Sequence, residues 1–279
     1  MQVGLICGES AGLISAKKIL IIKKIKIIFI VSANKKYDVA IKKMCSQNKI
    51  IFFNKNQFKK KKFLVYLKKI DYLLSIFSNI IVPKDYLKLP KKMCINLHPA
   101  LLPYYRGINV LSGVIYNNEK KTGLTLHKME EKIDSGKIIL IKKIDITHQE
   151  NALTLINKLK KKTPVLLNSF FKKIIKKKKI LFRNNNNKLS KKFPKYIPNY
   201  GLINLNQTAS KILRIFKASY YGPYLSSWGN LKININKVDY VIKNLKILNR
   251  RIKLQKKFEK INEKQYLAQS KDKILKITI

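Results

Sequence analysis

The chain has 279 residues, 46% of them hydrophobic, which is enough for one large domain with a smaller companion and argues against wholesale disorder. Its formal net charge is +47, from 61 Lys and Arg against 14 Asp and Glu, yet only five of the basic residues are arginine (Arg106, Arg183, Arg214, Arg250 and Arg251). Three widely spaced cysteines, Cys7, Cys45 and Cys94, argue against a disulfide framework and for a reducing, cytoplasmic compartment, and no Cys/His cluster has zinc spacing.

The lysine excess accompanies abundant Ile, Asn, Tyr and Phe, residues that share A/T-rich codons. Codon bias alone would produce it, and arginine, whose planar fork grips phosphate, is scarce. The charge therefore permits a nucleic-acid partner without demanding one. No membrane partner is expected: the most apolar stretch, Ile19 to Val31, is cut by Lys23, Lys24 and Lys26, and the N-terminal charges follow the apolar residues instead of preceding them.

In chain order, Gln2 to Cys7 reads as a buried strand, followed by a small-residue turn (Gly8 to Gly12) into a helix reaching about Ile22. That turn lacks the glycine and lysine spacing of a phosphate loop. Ile25 to Val31 is a second strand, Val39 to Gln47 a helix, Ile50 to Phe53 a third or edge strand, Lys59 to Lys62 a solvated charge run, and Phe63 to Lys69 a helix. Tyr72 to Ile81 suits a central parallel strand buried on both faces. Pro83 to Leu89 starts a short helix with proline at its first position, and Met93 to His98 is the next strand. Lys137 to Ile146 is a strand, and Ala152 to Ile175 has helical spacing interrupted at Pro164. Arg183 to Gly201 is an Asn/Lys/Pro-rich linker, Gln207 to Ser219 a helix, and Leu231 to Ile279 a small β-rich region. Strands alternating with helices over the first hundred residues predict a doubly wound α/β domain.

Cys94 to Leu140 is poorer in lysine than its surroundings and holds two of the three histidines, His98 and His127. Asn96 and His98 are spaced i, i+2 on a strand, so their side chains leave one face, and Pro99 ends the ladder just beyond them. Ligands of open α/β sheets bind at that carboxyl end, at the switch in strand order. Asp134 lies in a polar turn, IDSGK, where Gly136 lets backbone pass close to a ligand. An imidazole, a carboxylate and an amide donor together can accept a proton and steady a developing oxyanion. A satisfied core histidine remains the competing reading of a lone Asn-x-His. A hard-cation site from Glu130, Glu131 and Asp134 is disfavoured by the shortage of acidic ligands. His127, on the TLTLH strand, either borders the site or, as the favoured reading, is structural, and His148 carries no signal.

NLHPALLPYYRG, then TGLTLHKM, then DSGKIIL, closely resembles the signature of the formyltetrahydrofolate-dependent formyltransferases, most strongly over Asp71 to Leu140. The resemblance implies a Rossmann-like, mostly parallel sheet at residues 1–182, a linker at 183–200, and a C-terminal β-rich (OB-like) domain at 201–279 that holds the acceptor. It implies catalytic Asn96, His98 and Asp134, and a folate pocket involving Phe77, Ser78, Asn79, Ile80, Ala100, Leu101, Leu102 and Pro103, with no metal. The reaction implied is attack by a neutral amine on the formyl carbon of 10-formyltetrahydrofolate. In it Asn96 donates to the carbonyl oxygen, His98 acts as donor or proton acceptor, and Asp134 orients the groups and a relay water.

Three amine acceptors fit, and initiator methionyl-tRNA ranks first. The two-domain layout suits it, and Lys191, Lys192, Lys195, Arg214, Arg250, Arg251, Lys253, Lys256 and Lys257 could meet phosphates. Two departures weigh against it: the stretch from Val31 to Tyr37 has no long basic, Gly-rich insertion, and the C-terminal region is short and reads Ile203-Asn204-Leu205 where Asp-Trp is usual after the isoleucine. A nucleotide sugar is the alternative acceptor and glycinamide ribonucleotide the third. An RNA-binding protein on a decayed formyltransferase fold is the non-enzymatic alternative, against which the joint retention of Asn96, His98 and Asp134 speaks. A monomer is expected.

Overall fold

The computed structural model describes residues 1–58, 60–248 and 254–279. Lys59 of the charge run and Arg250, Arg251 and Lys253 of the basic tail lie outside the described residues. The chain divides into two compact units, Met1–Gly107 with Lys121–Asp145 and Asn157–Ser190, and Ile108–Lys120 with Ile146–Ile156 and Lys191–Ile279.

The first unit is built on a seven-stranded sheet in the order β3-β2-β1-β4-β5-β6-β7. Its strands are β1 (Gln2–Cys7), β2 (Lys26–Ser32), β3 (Ile51–Asn54), β4 (Tyr72–Ile76), β5 (Met93–His98), β6 (Lys121–Lys128) and β7 (Ile138–Asp145). The first five in sheet order run parallel, whereas β5–β6 and β6–β7 are antiparallel. Central β4 is buried at every position and β1 at all but its first, as the unbroken apolar runs VGLIC and YLLSI require when helices cover both faces. Helices α1 (Glu9–Leu20), α2 (Asp38–Gln47), α3 (Lys55–Phe58) and α4 (Leu64–Lys69) supply cover. One core cluster centres on Phe29, Phe58 and Phe63, whose rings meet edge to face, with Phe29–Phe63 centroids 4.9 Å apart.

β4 stops at Ile76, five residues before the expected end. Phe77 takes a left-handed conformation (φ 50°) and turns the chain out of the sheet. Helix α6 (Ala152–Ile175) runs unbroken through Pro164, contrary to the expected interruption. Its buried face of Leu155, Leu159, Leu166, Leu167, Phe170 and Phe171 outweighs the one backbone bond that proline forfeits. Its start carries a reciprocal cap, Asn151 Oδ1 accepting from Thr154 N and Thr154 Oγ1 from Asn151 N, both at 2.9 Å.

The second unit holds α5 (Val110–Tyr116), α7 (Ala209–Ser219), the hairpin β8 (Lys232–Ile235) and β9 (Val238–Val241), and an antiparallel sheet ordered β10-β13-β12-β11. The strands of that sheet are β10 (Asn244–Leu248), β11 (Phe258–Asn262), β12 (Gln265–Gln269) and β13 (Ile274–Thr278). The C-terminal region is thus β-rich, as the sequence pattern predicts. The units divide the chain differently from the expected boundaries at 182 and 201, because Ile108–Lys120 and Ile146–Ile156, both within residues 1–182, group with the second unit. α5 packs on α7, and Leu153 N donates to Tyr220 O at 3.0 Å. Buried Trp228 anchors this core, its Nε1 donating to Pro194 O at 2.7 Å.

Candidate active site

The reversal of strand order falls between β1 and β4, one strand away from the β5 end where His98 was expected to mark it. At that reversal Gly8 N donates to Ile76 O at 2.9 Å. A Cβ on Gly8 would lie 1.8 Å from Phe77 O, so only glycine lets the start of α1 pass the chain leaving β4. β5 lies beside β4 with Leu97 opposite Ile76, so His98 and Phe77 leave the same sheet edge from neighbouring strands.

The site forms around one buried carboxylate. Asp134 sits in the turn between β6 and β7 with a left-handed backbone (φ 51°). Asn96 Nδ2 donates to Asp134 Oδ1 at 3.2 Å, and Gly107 N donates to Oδ2 at 2.9 Å. His98 Nδ1 stands 3.4 Å from Oδ2, and His127 Nε2 stands 3.3 Å from Oδ1. His127 is thus part of the cluster, the less favoured of the two readings that its place on the TLTLH strand allows. Antiparallel pairing sets it opposite Asn96, and its Nε2 lies 3.2 Å from Asn96 Nδ2. That register exists only once β5 and β6 pair, so no spacing along the chain announces it.

The carbonyl partners fix where the ring hydrogens lie. His98 Nε2 faces Tyr105 O at 2.7 Å and His127 Nδ1 faces Lys128 O at 2.8 Å. A carbonyl only accepts, so both of those nitrogens carry hydrogen. Nδ1 of neutral His98 is then a lone pair directed at Asp134, and with its hydrogen on Nδ1 His127 turns Nε2 to Asn96 Nδ2 as an acceptor. Burial lowers the proton affinity of His98 more than the Asp134 carboxylate raises it, which keeps the ring neutral near pH 7. Burial would raise the pKa of Asp134, but the positive charge that His98 carries when protonated and the hydrogen bond from Gly107 N outweigh it. The carboxyl is held well below the usual range.

Of the expected folate-pocket residues, Ile80, Ala100 and Leu102 bury their side chains in the core. Phe77, Ser78, Leu101 and Pro103 are half-buried and Asn79 is exposed. Thr125 Oγ1 braces the second segment, accepting from Leu102 N at 3.1 Å and donating to Ala100 O at 2.7 Å. Arg106 Nε is buried without an acceptor among the described residues, a donor that suits an anionic or carbonyl-bearing ligand. Gly136, expected to admit a ligand, instead packs on backbone: a Cβ there would lie 1.9 Å from Lys128 O. Among the described residues, no group of three or more His, Cys, Asp or Glu is arranged to hold a metal ion. No helix among them is long and apolar enough to cross a membrane.

The second unit has its own cavity of about 370 Å³, lined by Ile115, Leu213, Arg214, Lys217 and Ile247 among others. Arg214 Nε is buried there with no acceptor among the described residues, and Lys217 Nζ donates to His148 O at 2.5 Å.

A doubly wound sheet carrying an amide–imidazole–carboxylate cluster at its carboxyl edge defines an α/β protein equipped for proton transfer and oxyanion stabilisation. Residues 12–170 match the model of the Formyl transferase family, and the chain belongs to that family. It is 35% identical over 181 residues to the bifunctional polymyxin resistance protein ArnA of Wigglesworthia glossinidia brevipalpis, covering 64% of this chain and 28% of ArnA. It is 30% identical over 186 residues to the methionyl-tRNA formyltransferase of Thermodesulfovibrio yellowstonii, covering 66% of this chain and 59% of that protein. The matches thus span less than two thirds of either relative. The crystal structure of WlaRD, a sugar 3N-formyl transferase solved with dTDP and 5-N-formyl-THF, shares the fold at a TM-score of 0.71 and 18% identity, over 100% of this chain and 97% of that one.

Proposed function

We propose that the chain transfers the formyl group of 10-formyltetrahydrofolate to a primary amine. The observation that carries the reading is the convergence of Asn96, His98 and His127 on the one buried carboxylate of Asp134. Formyl-folate, when bound, supplies an N-formyl group whose carbon an amine can attack. Both hydrogens of Asn96 Nδ2 are held by long contacts of 3.2 Å, and one is drawn away to an oxygen gaining negative charge. His98 Nδ1 takes the proton that the attacking amine sheds, and the carboxylate 3.4 Å away stabilises the imidazolium that results. Arg106 Nε and the backbone of Phe77–Ile80 and Ala100–Pro103 hold the folate.

For the acceptor we propose the amino group of initiator methionyl-tRNA. The likeness to the Thermodesulfovibrio enzyme supports it, as do the exposed lysines Lys192, Lys195 and Lys256 and the unpaired Arg214 Nε. A nucleotide amino sugar is the second reading. It is favoured by the direct passage from β2 through a short 3-10 turn, Lys35–Tyr37, into α2 with no inserted loop, and by the fold shared end to end with a sugar formyl transferase. The test supplies 10-formyltetrahydrofolate with charged initiator tRNA, dTDP-linked amino sugars or glycinamide ribonucleotide in parallel. Formylation of the tRNA alone is expected; formylation of a sugar alone moves the assignment to the second reading, and no formylation of any of them overturns it.

A further inference from the structure

Asn185 belongs to the Asn-rich run 184–187, within the stretch that composition marks as a linker. In the first unit it is bound to the site. Its Nδ2 donates to Asp134 O and to Gly136 O, each at 2.9 Å. Arg106 Nη2 donates to Asn185 O at 3.0 Å and to Asn185 Oδ1 at 2.5 Å. Two residues earlier, Arg183 pairs with Ile138 in both directions, N to O at 2.8 Å and O to N at 2.9 Å. The segment therefore lies antiparallel against the chain that leaves the Asp134 turn.

The partners leave little choice of side chain. Two carbonyls accept only and a guanidinium donates only, so the residue between them must present two N–H donors and one acceptor oxygen. Of the side chains that short, only asparagine does. The turn needs the restraint, because Asp134 holds a left-handed conformation that a non-glycine residue keeps only when its surroundings impose it. Gly107 N fixes the carboxylate of Asp134 while Asn185 fixes its carbonyl, and Arg106, the residue before Gly107, joins the two restraints.

We propose that Asn185 is a positioning residue, which sets the Asp134 carboxylate against His98 and His127 by clamping the carbonyls of residues 134 and 136 to Arg106. As a statement about catalysis this rests on the formyl-transfer reading; as a statement about the cluster it does not. Two measurements keep them apart. In activity, Asn185→Ala lowers kcat about a hundredfold, the usual cost of a displacement near 1 Å, and raises the KM for the formyl donor by a smaller factor, since Arg106 keeps its bond to the residue 185 carbonyl. Asn185→Asp, which keeps an acceptor for Arg106 but sets oxygen against two carbonyls, is no better than alanine. Added to Asp134→Asn, Asn185→Ala costs little more, since the group it positions is already gone. In the ligand-free protein, Asn185→Ala shifts the imidazole resonances of His98 and His127 and leaves His148, the third histidine, in place. Wild-type kcat in Asn185→Ala, or a loss that multiplies in full with that of Asp134→Asn, overturns the catalytic role. Unmoved His98 and His127 signals overturn the clamp whatever the reaction proves to be. A wild-type protein that formylates nothing, with those signals still shifted by the variant, overturns the formyl-transfer reading and leaves the clamp standing.

Discussion

The groups around Asp134 are each held by a partner of their own. Tyr105 O orients His98, Lys128 O orients His127, and Gly107 N caps the carboxylate. Asn96→Ala and Asp134→Asn are therefore expected to fold normally and to lose about a hundredfold or more in kcat, the range set by removing one oxyanion donor; circular dichroism and single-turnover formylation check both. The pH dependence has a definite sign. As the proposed base His98 works only when neutral, so kcat/KM is expected to fall as pH drops through its depressed pKa, placing the acid limb below the ordinary imidazole value of about 6.5. Because the carboxylate raises His98's proton affinity, Asp134→Asn moves that limb to still lower pH. An acid limb that stays in place in this variant, measured on its residual activity, would show that the proton goes elsewhere.

Among the elements, the β6–β7 turn and helix α6 carry separate expectations. Gly136 has Lys128 O where a Cβ would go, and that obstacle is backbone, so Gly136→Ala must displace the turn. The displacement carries Asp134 with it and is expected to cost about a hundredfold in kcat; steady-state kinetics beside a urea titration separate this from simple unfolding. Pro164 lies within α6, where it forfeits a backbone hydrogen bond. Pro164→Ala is expected to stabilise the protein by about 2 kcal/mol, being roughly 3 of helix propensity less up to about 1 of unfolded-chain entropy. A lowered urea midpoint would mean that packing against α6 has been fitted to the proline.

At the scale of the whole molecule, the positive charge bears on the proposed acceptor. If the acceptor is tRNA, its binding weakens steeply with salt, and Arg214→Ala reduces the slope by about one while the KM for the formyl donor stays constant. Filter binding across a salt series reads both quantities. An acceptor affinity indifferent to salt would favour a small nucleotide sugar.

Much of this molecule was legible before it folded. β1, β2 and β5 follow from short apolar runs between turn residues, the helices α1, α2 and α7 from their periodicity, and Asn96, His98 and Asp134 from ordered motifs that resemble a known family. What could not be read depends on partners distant in sequence. α5 hides in the apolar stretch Val110–Tyr116, which becomes a helix of the second unit by packing on α7. β4 ends early because Gly8 and Phe77 must pass one another. His127 joins the cluster only through the register of β5 against β6, and Asn185 only because a low-complexity run lies back along the Asp134 turn. Local spacing determined which chemical groups the chain carries and on which strands. Tertiary structure decided which of them converge on one carboxylate, because hydrogen bonds of about 3 Å form between residues tens of positions apart only when pairing, burial and close backbone approach bring them together.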